Sequence, residues 1–170
     1  MASAPMFRDA FAHHTWATEQ LIDFCGRLTP EQLVAPAAGT YGPILETLQH
    51  LVQSDSWYLS RFTDRPGLTD DDAARMGLDE LRATITAHAA GWADVLDREG
   101  DPDREMVRRE GDWIVHTPVG VRLAQVVHHG SDHRSQVCTA LTSLGHEPPE
   151  FDLWAYAAAT GREHGEKAPG

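Results

Sequence analysis

The sequence predicts an all-α protein, a four-helix bundle with a small β-hairpin between its third and fourth helices. Three observations carry that expectation. Apolar residues recur every three or four positions along four long segments, as on the buried face of a helix. Helix caps, prolines and glycines fall between those segments. One short stretch, "REMVRREGDWIVHTPVG", breaks the helical period and has β-prone runs on either side of "EGD".

The first helix spans about Pro5 to Leu28 and carries Phe7, Phe11, Trp16, Leu21 and Phe24. It ends before "LTPEQL", where Thr29 and Pro30 read as the cap and first-turn proline of a short helical turn. The second opens near Pro43 and runs to about Thr63, with Leu48, Leu51, Tyr58 or Leu59, and Phe62 at helical spacing. "DRPGLTDDDAARMG" is then a polar connection long enough to carry the chain along the bundle instead of straight back, so a non-trivial helix order is expected. The third helix covers about Leu78 to Arg98, with Leu81, Ile85, Trp92, Val95 and Leu96. The hairpin turns near Gly111. The fourth helix begins after Thr117 and Pro118 and runs to Leu144, where Gly145 is a natural left-handed terminator. A last short helix follows Pro148 and Pro149. One domain over residues 1–165 and a polar tail over 166–170 are the expected organisation, because 170 residues suffice for one core.

Composition narrows the function classes. An apolar fraction of 41% and a charged fraction of 24% belong to a folded protein. The formal net charge of -12 repels phosphate backbones and anionic lipid, so neither nucleic acid nor membrane is an expected partner. No apolar run reaches the roughly 18 residues of a membrane span, and the first residues lack the apolar stretch of a signal peptide, so a cytoplasmic location is expected. Cys25 and Cys138 form no disulfide framework or metal knuckle and read as small apolar residues.

The ten histidines carry the functional signal. In the fourth helix Val126, His129, His133, Val137, Leu141 and Leu144 share one stripe, so His129 and His133 point toward the core. Two readings fit the pair. As core histidines they need up to four hydrogen-bond partners, and each unmet group costs about 1–3 kcal/mol. As metal ligands, each coordinates through one nitrogen and donates through the other, and i, i+4 spacing lets both rings converge on one ion. A third ligand would favour the second reading. His50 is the best candidate, on a face shared with Thr47, Ser54 and Trp57, away from the main Leu48, Leu51, Tyr58 stripe; a surface histidine is its alternative.

His128 is rotated off the inward stripe, toward solvent or a supporting role. His13, His14, His88, His116, His146 and His164 have no partner at ligand spacing and read mostly as surface residues, with His14 in reserve. Asp132 and Arg134 are expected to be exposed or salt-bridged. Gly130 lies inside a helix at a cost of about 0.5–1 kcal/mol, which close approach of a neighbouring helix or a ligand would explain. Gln125 and Gln136 lie near the histidine row and can reach supporting or substrate atoms. Trp16, Trp57 and Trp154 could line an apolar pocket, although plain core packing is the commoner role. Asp55, His128 and Arg134 are possible catalytic helpers, with no convincing general base among them.

Three pieces, "FAHHTWATEQLIDFCGRL", "GPILETLQHLVQSDSWYLSRF" and "VRLAQVVHHGSDHRSQVCTALTSLGHEPPEFDLWAY", together resemble the DinB/YfiT-like metalloenzyme family. The combination of H-x-x-x-H-R-x-Q with L-G-x-x-P-P carries most of the specificity. The resemblance implies a four-helix bundle of unusual helix order, often dimeric, holding a divalent metal on three histidines, here His50, His129 and His133. Asp132 stands where many relatives have a further histidine, and Ser135 where they have glycine; neither change removes a ligand. Zn²⁺ or Ni²⁺ is expected, since both suit imidazole and an open coordination position. Some relatives are thiol S-transferases or isomerases dependent on bacillithiol, mycothiol or glutathione. The expectation is therefore a metal-dependent transferase that activates a low-molecular-weight thiol for attack on a small electrophile, with a small-molecule substrate and a possible homodimer. A non-catalytic metal-binding stress-response protein, a metal-dependent hydrolase and a metal-free helical interaction module are the alternatives.

Overall fold

The computed structural model describes residues 4–168, so Met1–Ser3 of the expected domain and the last two residues of the expected tail lie outside the described residues. In chain order the elements are α1 (Ala4–Cys25), α2 (Pro30–Leu33), α3 (Ile44–Ser60), α4 (Asp70–Ala73), α5 (Leu78–Arg98), β1 (Glu105–Glu110), β2 (Trp113–Pro118), α6 (Val119–Ser143) and α7 (Leu153–Ala159). The fold is mostly helical with one antiparallel hairpin, as the sequence predicts.

Local chemistry sets the boundaries. Thr29 and Gln32 form a reciprocal capping box around Pro30 at the start of α2. Glu110 faces Trp113 across the hairpin turn, and Gly111 takes φ +55°, which a glycine adopts without a Cβ clash. Gly145 takes φ +81° just past α6, where the His146 N–H reaches back to the Leu141 carbonyl at 3.0 Å. One element escaped the sequence pattern. The connection after α3 contains α4, whose first turn is closed by the Thr69 hydroxyl accepting from the Asp72 N–H.

α1, α3, α5 and α6 form the bundle, in which α1 neighbours α5 and α6, and α3 neighbours the same two. The pairings fix the directions. Arg82 meets Asp23 at 2.6 Å while Phe11 packs on Trp92, so α1 and α5 run antiparallel. Asp55 meets His88 and Phe62 meets Trp92, so α3 and α5 run parallel. The connection after α3 must therefore travel back along the bundle, as its length suggested.

Two apolar clusters fill the interior. One gathers around Leu21, Leu48, Leu51, Ile85 and Leu141, the other around Phe11, Trp92, Val95, Leu123 and Val126. Between them lies a polar layer to which all four long helices contribute: His14 and Thr18, Asp55, His88, and Arg134. No helix of the described residues is long and apolar enough to cross a membrane.

Candidate metal centre

α3 and α6 run antiparallel, so His50 on one meets His129 and His133 on the other. The three offer ligand nitrogens that all lie within 4.8 Å of one another, a group that could hold a metal ion. The His129 and His133 Nε2 atoms are 3.1 Å apart. Two metal–nitrogen bonds of about 2.0–2.1 Å, at tetrahedral to octahedral angles, place their nitrogens roughly 2.9–3.4 Å apart. The separation fits a shared ion. Among the described residues no carboxylate or thiol joins the group, so the donor set is three imidazoles.

The surroundings orient the rings. Gln136 Oε1 accepts from the Tyr41 backbone N–H at 2.9 Å, and it stands 3.3 Å from His133 Nδ1. The His133 Nδ1–H donates to the same oxygen, which leaves its Nε2 lone pair facing His129. Tyr41 stacks on His50 with ring centroids 4.2 Å apart and an interplanar angle of 13°, and meets His133 edge-on at 5.4 Å. Tyr58 approaches His129 edge-on at 5.7 Å. A cavity of about 190 Å³ adjoins His50, between α3 and α4, with Tyr41 and Asp70 on its wall.

All three imidazoles are held in the neutral form that ligates metal. Burial lowers the His129 pKa to about 4, with further lowering from His133 and His50. Burial also lowers His50, with His133 adding to the effect, and lowers His133 against an upward pull from Gln136. The unfolded chain protonates its histidines near 6.5, while folded His129 resists protonation until about 4. Between those values the unfolded state binds more protons, so stability rises with pH across the window. The metal-free protein should therefore melt progressively lower as pH falls from about 6.5 to 4, with a shallower slope in His129→Gln. A melting temperature flat over this range, or an unchanged slope in the variant, would count against this burial.

The other candidates divide clearly. His128 is exposed and pairs with Asp132 at 3.2 Å. Gln125 donates to the Tyr58 hydroxyl at 3.4 Å. The tryptophans do not line the histidine group: Trp16 packs on Tyr156, Trp57 lies under Arg61, and Trp154 is 72% exposed. Tyr41 and Tyr58 are the aromatic walls instead.

Three expectations fail at the polar layer. His14 and Arg134 are 1% and 2% exposed, and the His88 side chain is 13% exposed, so none is a surface residue. His13 is also half-buried, bonded to the Phe151 carbonyl at 2.7 Å, and His146 bonds Gln32 at 3.1 Å. Asp55 is buried and accepts from His14 Nε2 at 3.0 Å, His88 Nδ1 at 2.7 Å and Trp92 Nε1 at 3.1 and 3.2 Å. Burial pushes its carboxyl up, but the hydrogen bonds from His14 and His88 outweigh that and hold it well below the ordinary range. Since His14 donates from Nε2, its Nδ1 accepts from Arg134 at 3.2 Å. Arg134 also donates to Thr18 Oγ1 at 3.1 Å, and burial lowers its pKa to about 10. A buried cation and a buried carboxylate are thus joined through one imidazole. Asp55 is an internal counter-charge and not a helper at the histidine group.

Gly130 has the reason expected of it. A Cβ there would lie 2.3 Å from His14 Cε1 and 2.4 Å from Nδ1. His14 is tethered at both ends and cannot retreat. Gly130→Ala should cost about 1–3 kcal/mol in chemical denaturation, against the 0.5–1 kcal/mol gain expected from helix propensity alone; a stabilised variant would show that His14 moves freely.

A family model described as the DinB family matches residues 4–167. No curated protein matches the chain.

Proposed function

Because the chain belongs to the DinB family, we propose that it is a metal-dependent enzyme in which His50, His129 and His133 hold one divalent ion, Zn²⁺ or Ni²⁺, and which activates a low-molecular-weight thiol for transfer to a small electrophile. The observation that carries the metal is the convergence of three neutral imidazoles from two helices. The thiol rests on the family resemblance.

A divalent ion on three imidazoles supplies Lewis acidity at an open position, lowering the pKa of a thiol or water delivered there. The chain's own residues prepare that position. Gln136 fixes the His133 tautomer, and Tyr41 fixes the plane of His50 while covering one side of the group. Tyr58 bounds the His129 side, so the group lies between two tyrosine rings.

The test is turnover. Protein loaded with Zn²⁺ or Ni²⁺ is screened with glutathione, bacillithiol and mycothiol against small alkyl and epoxide electrophiles. Thiol consumption is expected with the wild type and not with His129→Ala. Consumption that persists in folded His129→Ala, or never exceeds the uncatalysed rate with any thiol, would overturn the reading.

A further inference from the structure

α3 and α6 stay antiparallel beyond the histidines, so the residues that face one another across them can be followed toward the hairpin. Tyr58 and Gln125 form the next level, and about one turn further stand Arg61, just past the end of α3, and Arg122 on α6. Arg122 lies seven residues before His129, on the same face of the helix and roughly 10 Å along it. Arg108, on β1, is near enough for its charge to act on Arg122.

Arg122 is 8% exposed, and its Nε has no hydrogen-bond partner. The Arg108 Nε is buried and equally unpartnered. Arg108 pairs with Glu110 at 2.6 Å, but among the described residues no carboxylate lies at ion-pair distance from Arg122. Arg61 is spent only on the face of Trp57. Burial lowers the pKa of Arg122, and the charges of Arg108 and Arg61 lower it further, with Glu110 pulling the other way. Arg61 is exposed and Arg108 already has Glu110, so Arg122 is the buried charge of the three without an ion-pair partner among the described residues, and buried charges are ordinarily paired.

We propose that Arg122, with Arg108 and Arg61, forms an anion subsite that takes the carboxylate or phosphate group of a small molecule whose other end reaches the three histidines. The guanidinium fork suits either oxyanion. That the anion belongs to the substrate or thiol rests on the function proposed above; anion binding itself does not.

The test uses chelator-treated protein, so that it reads the arginines alone, and follows melting temperature with sodium succinate or inorganic phosphate against chloride at matched ionic strength. A saturable rise is expected in the wild type. Arg122→Met, close in shape and free of the buried charge, should need roughly tenfold or more anion for the same rise, the loss of one charged hydrogen bond. Arg75→Gln, a remote exposed control, should match the wild type. A stronger response to succinate assigns a carboxylate, and to phosphate a phosphoryl group. No saturable rise, an equal midpoint in Arg122→Met, or an equal loss in Arg75→Gln would overturn the subsite. Failure of the metal reading would show separately, in metal content.

Discussion

Asp55→Ala is expected to be the most destabilising single substitution in the interior, at about 3–5 kcal/mol, because it removes one partner of a buried charge network and strands the rest. His14, His88 and Trp92 would lose their common acceptor, and Arg134 would keep its charge at 2% exposure with no counter-charge. Domains of this size are stable by only about 5–15 kcal/mol, so such a loss is large enough to deplete folded protein on modest warming. Urea denaturation measures it. The discriminating variant is Asp55→Ala with Arg134→Met, which removes both charges. If the cost is electrostatic, the double variant recovers part of the loss; if it is only a cavity, the two costs add. A single variant within about 1 kcal/mol of wild type would mean that the polar layer does not bear on stability.

The second large effect is thermal. A ligand that binds only the folded state at a hundred times its Kd adds about 2.7 kcal/mol. For a chain of this length each kcal/mol moves the melting temperature by about 2–4 °C. Zn²⁺ or Ni²⁺ added to chelator-treated protein should therefore raise the melting temperature by roughly 5–10 °C. The rise should shrink sharply in His133→Ala and in His129→Ala, since two imidazoles bind far more weakly than three. A rise of equal size in these variants would place the ion elsewhere.

Much of the architecture was legible in local pattern. Helical periodicity located the four long helices, and Gly111 and Gly145 marked turns where the chain does adopt positive φ. The i, i+4 pair His129 and His133 could be placed on one inward stripe of α6, and His50 on a face of α3 distinct from its main apolar stripe. What periodicity could not supply was the partner of each side chain across the bundle. Arg134 sits one residue past His133, off that stripe, yet α6 packs on α1 as well as α3, so its buried arc is wider than one stripe. Two signals pointed there. Gly130 lies one turn before Arg134 on the same face, where His14 presses against the helix backbone. Asp55 continues the buried row of Leu48, Leu51 and Val52, a carboxylate in an apolar face that requires interior donors. The four-residue α4 was hidden because a single turn leaves no periodicity to read.

The most direct measurement is the elemental metal content of purified, untagged protein beside His50→Ala and His133→Ala, each checked for folding. His50 is the decisive position, since it alone comes from α3. Close to one ion per chain is expected in the wild type after loading with Zn²⁺ or Ni²⁺, and little in either folded variant. No stoichiometric ion in the wild type, or full retention in folded His50→Ala, would contradict a three-histidine metal centre.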